Sequence, residues 1–115
     1  MKYMLLIYHD ENGRADVSEA EMARWMADFA AYTQAMQKAG VFLGTDRLGS
    51  VATATTVRGA NGRTKVLNGP YAETREQLGG YYMIDVPDQA AAISWAERCP
   101  ATAFGTIEVR PVLAM

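Results

Sequence analysis

One helical stretch, Ser18 to Ala39, sets the terms on which the rest of the chain can fold. Ser18 and Glu21 form a capping box, each side chain placed to satisfy the other's free backbone N–H. Met22, Trp25, Met26, Phe29, Thr33 and Met36 then follow at helical spacing and make one continuous apolar face. Lys38 lies in the last turn, and Gly40 supplies the left-handed terminator. Such a face has to be buried against another layer, and the segments on either side of it read as strands.

Lys2 to Tyr8 is a short apolar run with the look of a strand buried on both faces, followed by a polar loop from His9 to Val17. Val41 to Leu48 is a second strand, with Gly44 permitting a bulge. Ala52–Arg58 and Arg63–Leu67 are rich in threonine and valine and flank Asn61-Gly62, a pair that favours the positive φ values of a hairpin turn. Tyr81 to Val86 is a strand, Asp88 caps a second helix over Gln89–Cys99, and Thr106–Leu113 alternates as the last strand. Pro111 places that strand at an edge or terminus. The order is β-α-β, a hairpin, then β-α-β. Without the hairpin this is the βαββαβ pattern of ferredoxin-like α+β folds.

Two helices cover one face of such a sheet. Ile107 and Val109 should face them, which turns Glu108 and Arg110 to the other side, among apolar residues of the first and fifth strands. A face half apolar and half charged suits a second copy of the chain enclosing a wet cavity, so a homodimer built sheet to sheet is expected. At 115 residues the chain is of the size of one domain.

Composition narrows the function classes. A net charge of −2 and a pI near 5.3 give no basic footprint for nucleic acid or an anionic membrane. The apolar run Tyr3–Tyr8 is too short for a membrane span and leads straight into His9, Asp10 and Glu11. A single cysteine, Cys99, rules out an internal disulfide, and the cytoplasm is the expected compartment. Cys99 closes the second helix, whose negative end disfavours a thiolate nucleophile.

The stretch from Asn68 to Gly80, N-G-P-Y-A-E-T-R-E-Q-L-G-G, differs from both strands that flank it. It opens on Gly69-Pro70, closes on Gly79-Gly80 and is dense in polar groups, and connections of this length are often functional. Asn68, Gly69, Tyr71, Thr74 and Arg75 are candidate ligand-binding residues, with Arg75 gripping an anionic or carbonyl group. Glu73 is a candidate base. A bland alternative has Glu73, Thr74, Arg75 and Glu76 pairing with one another to tie the loop down. Arg110 is a further ligand-binding candidate, balanced against a cross-dimer ion pair with Glu108. His9, the only histidine, is a candidate general base beside Asp10 and Glu11, although consecutive residues of an extended chain point apart. One histidine without cysteine support is a weak metal signal, so no metal and no cofactor are expected.

Over nearly its whole length the chain resembles the YCII-related family, in its DGPF-type branch. The matching pieces are the opening K-Y-M-L-L-I-Y, A-T-A-T-T-V-R from Ala52, N-G-P-Y-A-E-T-R-E-Q-L-G-G-Y-Y from Asn68, and E-V-R-P from Glu108. The resemblance implies a dimeric α+β barrel with a cleft near the loop, and for many members no assigned activity. It also suggests a functional association with an extracytoplasmic-function sigma factor. Two departures stand out. Asn68 and Tyr71 replace the usual Asp and Phe of the loop, so a carboxylate is lost and a phenol gained. Some relatives of this kind look like enzymes with a histidine on the first helix, and Ser18–Ala39 contains none.

Three functions compete on these residues. The leading one is a homodimer that binds a small polar or anionic molecule beside Asn68–Gly80. The second is an acid–base enzyme, such as a lyase, isomerase or dehalogenase-like elimination catalyst, using Glu73 or His9. RNA binding on a ferredoxin-like sheet is disfavoured by the acidic charge.

Overall fold

The computed structural model describes every residue except Ala15, with Arg14 described by its backbone only. The expected polar loop from His9 to Val17 therefore falls in part on Ala15, which lies outside the described residues. In chain order the elements are β1 (Lys2–His9), α1 (Glu19–Lys38), β2 (Phe42–Arg47), β3 (Thr55–Ala60), β4 (Arg63–Asn68), β5 (Gln77–Asp85), α2 (Gln89–Glu97) and β6 (Gly105–Pro111). Short 3₁₀ turns occupy Asn12–Arg14, Val51–Thr53 and Pro100–Ala103.

The main sheet has the order β2-β5-β1-β6, antiparallel at every neighbour, and β3 pairs with β4 as a separate ribbon. This α+β arrangement is compatible with a ferredoxin-like fold carrying an inserted hairpin. The ends of α1 follow their chemistry. Ser18 Oγ accepts from the Glu21 N–H at 3.1 Å, and Gly40 takes a φ of 75° beyond the C-cap Ala39. Asp88 accepts from the Ala91 N–H at 2.9 Å to start α2, which ends at Glu97, so Cys99 heads the following 3₁₀ turn instead. Strand β5 begins at Gln77, four residues earlier than its sequence suggests, because Gln77 and Leu78 pair with His9 and Tyr8. Val51–Thr53 turns instead of extending, with Ser50 accepting from the Ala52 N–H.

The core lies between the helices and one face of the sheet. Tyr3, Leu5 and Ile7 of β1 alternate inward with Tyr82 and Ile84 of β5, and Met36, Ala92 and Ala96 close on them from above. Ile107 and Val109 pack against this core, as their parity requires. Tyr32 links the helices by donating its hydroxyl to the Trp95 carbonyl at 2.6 Å.

The opposite face has no cover. Register lays Arg110, Met4 and Met83 in one row across it, and Glu108, Leu6, Tyr81 and Asp46 in the next. The apolar members are half-buried and the charged ones exposed, in the mixture anticipated above. The hairpin also stands apart. Asn61 and Gly62 both take positive φ, and Val57 and Val66 face each other while 62% and 66% exposed. These features make the chain flat, 48 × 42 × 18 Å. Its radius of gyration of 16.1 Å exceeds the roughly 13 Å of a compact chain this long. Among the described residues no helix is long and apolar enough to cross a membrane.

Candidate functional site

The apolar face of α1 is longer than the surface it packs on. Tyr32 and Met36, in the C-terminal half, are buried. Met22 and Met26, two to three turns earlier, are 42% and 50% exposed, and Trp25 and Phe29 are half-buried. Between this raised half of the helix and the sheet lies a cleft of about 880 Å³.

One side of the cleft is aromatic. Trp25 meets Phe104, which follows the last 3₁₀ turn, at 5.1 Å between ring centroids, and Phe104 lies edge-on to His9 at 6.0 Å. The other side is the outer strand β2, where Thr45 and Arg47 line the cleft, with Leu48 just beyond the strand. Arg47 touches the Met26 sulfur at 3.7 Å and has no carboxylate within ion-pair distance among the described residues. The inner end is a cluster of hydroxyls: Thr33 Oγ1 lies 2.8 Å from the Tyr82 hydroxyl, with Thr45 on the neighbouring strand paired to Tyr82. Burial raises the Tyr82 pKa above the usual phenol range, against the lowering effect of its hydroxyl neighbours Thr33 and Thr45.

His9 stands at the end of β1 in a slot that two glycines make possible. Gly79 is bulged out of the β1–β5 register, and a Cβ there would come within 2.5 Å of His9 Nε2. A Cβ on Gly80 would lie 2.8 Å from the Asp46 carbonyl of β2. The Gly79-Gly80 pair is thus explained by close packing at the floor of the cleft. Within the slot, His9 Nδ1 is shut off from solvent and has no hydrogen-bond partner among the described residues. Neither neighbouring carboxylate is engaged with it. Asp10 accepts from the Asn12 N–H, and Glu11 accepts from Ser50 Oγ and the Val51 N–H at 2.9 and 3.1 Å, holding the 3₁₀ turn in place.

Of the residues singled out in the sequence, His9 and the closing Gly79-Gly80 line the cleft. Asn68, Gly69, Tyr71, Glu73, Thr74, Arg75 and Arg110 are not among its lining residues. Asn68 ends β4 opposite Thr55. Gly69, at a φ of 100°, donates to the Ala54 carbonyl and accepts from Thr56 Oγ1, both at 2.8 Å. Tyr71 is 77% exposed beneath the Arg58 guanidinium, 5.8 Å away. Thr74 donates to the Glu76 carbonyl, and Glu76 accepts from Thr106 on β6 at 2.8 Å, so the end of the loop is tied to the sheet. Glu73 and Arg75 are exposed and form no ion pair with each other. Arg110 sits on the uncovered face beside Met4.

Sequence reasoning missed Trp25, Thr33, Thr45, Arg47, Tyr82 and Phe104 as neighbours of one cleft. The detectable signal was the apolar stripe of α1, whose five turns and about 30 Å outrun the rest of its layer.

The fold and cleft together define a small α+β protein, compatible with a ferredoxin-like fold, with one covered and one open sheet face and a pocket beneath its first helix. A family model for the YCII-related domain matches residues 1–115, and the chain belongs to that family. It is also similar to an uncharacterized protein of Rhizobium meliloti (strain 1021), 37% identical over 116 residues, which cover 97% of this chain and 92% of that protein.

Proposed function

We propose that the protein is a homodimeric, cytoplasmic small-molecule-binding protein whose ligand enters the cleft between α1 and the sheet. The observation that carries the reading is the raised half of α1. Met22, Trp25 and Met26 hold apolar surface away from the core, above a cleft large enough for a metabolite and bordered by Arg47, a cation with no ion-pair partner among the described residues. An anionic or polar group on the ligand would meet Arg47 at the edge, while its apolar body replaces water against Trp25 and Phe104. In this reading the stretch from Asn68 to Gly80 meets the cleft through its closing glycines.

The dimer is supported by the uncovered face, where two rows mix methionine, leucine and tyrosine with Asp46, Glu108 and Arg110. The flat shape and the projecting hairpin support it too, because they leave apolar surface that a second copy would bury. Arg110 then belongs to the interface, opposite the partner's acidic row. Cys99 as a buried free thiol fits a reducing compartment.

Thermal unfolding with a panel of small carboxylates and phosphates tests the binding function, since anything that binds only the native state raises its apparent stability. Stabilisation that disappears in Arg47→Gln supports it. Stabilisation that survives Arg47→Gln but disappears in Arg75→Gln would move the site to the exposed loop. Sedimentation at micromolar concentration tests the dimer, and a monomer there would refute it.

An acid–base enzyme is the second reading, favoured by His9, which lines the cleft and whose Nδ1 has no hydrogen-bond partner among the described residues. It is weakened by Asp10 and Glu11, both committed elsewhere, which leave the imidazole without an orienting carboxylate. Turnover of any cleft ligand, abolished in His9→Asn with binding retained, would establish it.

A further inference from the structure

The hydroxyl cluster at the inner end of the cleft has a fixed sense, and it specifies the ligand more narrowly than shape does. Thr33 Oγ1 donates its one proton to the Phe29 carbonyl at 2.9 Å. Its 2.8 Å contact with Tyr82 is therefore one in which Tyr82 donates. Thr45 Oγ1 spends its proton on the Tyr81 carbonyl at 2.8 Å. All three hydroxyl protons are committed, and what remains facing the inner cleft is oxygen lone pairs. Arg47, toward the mouth, offers donors and positive charge. The cleft is thus polarised: acceptors within, aromatic and thioether surface along the middle, a cation outside.

Resting on the binding function proposed above, we infer that the cleft takes hydroxyaromatic carboxylates, with the hydroxyl inward and the carboxylate at Arg47. A phenol supplies the proton that the inner oxygens lack, and its ring fits between Trp25, Phe104 and Met26. Arg47 meets Met26, and Met26 lies two turns of α1 before Thr33, which separates the polar ends by about 10 Å. One ring and a short acid side chain span that distance. A ligand presenting a carbonyl or ether inward would set lone pair against lone pair, an arrangement that hydrogen-bonding sites reject.

The test uses Trp95→Phe, which leaves Trp25 as the one tryptophan and so as a reporter inside the cleft. Titration with para-hydroxyphenylpropionate should change its fluorescence, with affinity roughly tenfold above that for para-methoxyphenylpropionate. Thr33→Val releases the Tyr82 proton into the cleft and should erase or reverse that preference, an effect that mere loss of packing would not produce. Thr45→Val removes one inner acceptor and should shrink the preference as well, and serves if Thr33→Val does not fold. Arg47→Gln should weaken both acids and leave para-propylphenol unaffected. Equal affinity for the hydroxy and methoxy acids, or a preference unmoved by both hydroxyl variants, overturns the ligand class while leaving the cleft as the binding site. If none of these three compounds alters Trp25 emission, the ligand class and the cleft fall together.

Discussion

The two halves of α1 share one apolar stripe and meet different fates. In the C-terminal half, Tyr32 and Met36 are buried, with the Tyr32 hydroxyl bound to the second helix. In the N-terminal half, Met22 and Met26 rest on no core, and Trp25 touches Phe104 across an opening. The same periodicity therefore encodes stability in one half and a cavity in the other. What separates them is the opposing surface. Ile84 and Leu5 share the core with Met36, whereas Gly79, Gly80 and the exposed Thr45 line the cleft. Small and polar residues on the sheet leave the helix nothing to close on.

The largest test of this contrast is truncation at matched positions. Met36→Ala, at a fully buried site, should cost about 2–5 kcal/mol, read by urea unfolding. Met26→Ala should cost less than about 1 kcal/mol while altering ligand affinity. Equal costs would mean that the raised half is packed after all.

Filling the glycine slot comes next. Gly79→Ala pushes a methyl group into the His9 ring and should destabilise by about 1–3 kcal/mol, with the His9 ring resonances shifted in NMR spectra. An unmoved imidazole would show that the slot is slack. Tyr32→Phe removes the bond that ties the packed half to α2 and should cost about 1 kcal/mol by thermal unfolding.

The smallest effect is at high pH. Burial raises the ionisation of Tyr32, Tyr82 and Cys99 above the ordinary 10.0 for a phenol and 9.0 for a thiol. Groups whose folded pKa is raised contribute stability that is fully present below the unfolded value and lost as pH rises toward the folded one. Unfolding free energy should hold through neutral pH and decline above about pH 9. Cys99→Ala should shed the earliest part of that decline. The same burial should keep Cys99 unreactive toward thiol reagents in the native state.

Much of the fold could be read directly from residue patterns, because its determinants are local. Ser18, Glu21, Gly40, Asn61-Gly62 and Asp88 each act within a few residues, and the parity of Ile107 and Val109 follows from strand geometry alone. The early start of β5 was hidden, since Gln77 is recruited by pairing with His9 across the sheet. The cleft was hidden for a similar reason. Methionines at 22 and 26 have the pattern of core residues, and only the glycines and hydroxyls opposite them, far away in sequence, decide otherwise. Asn68–Gly80 stands out in the sequence because its polarity is conspicuous, while Thr33 and Tyr82 are single polar groups inside apolar segments. Their significance depends on being 2.8 Å apart.

The seven methionines offer the most direct measurement. With methyl-labelled methionine and para-hydroxyphenylpropionate added, the account predicts that the Met22 and Met26 signals shift while Met36, Met4 and Met83 stay in place. Shifts at Met4 and Met83 with Met22 and Met26 unmoved would place the ligand on the open face of the sheet and contradict it.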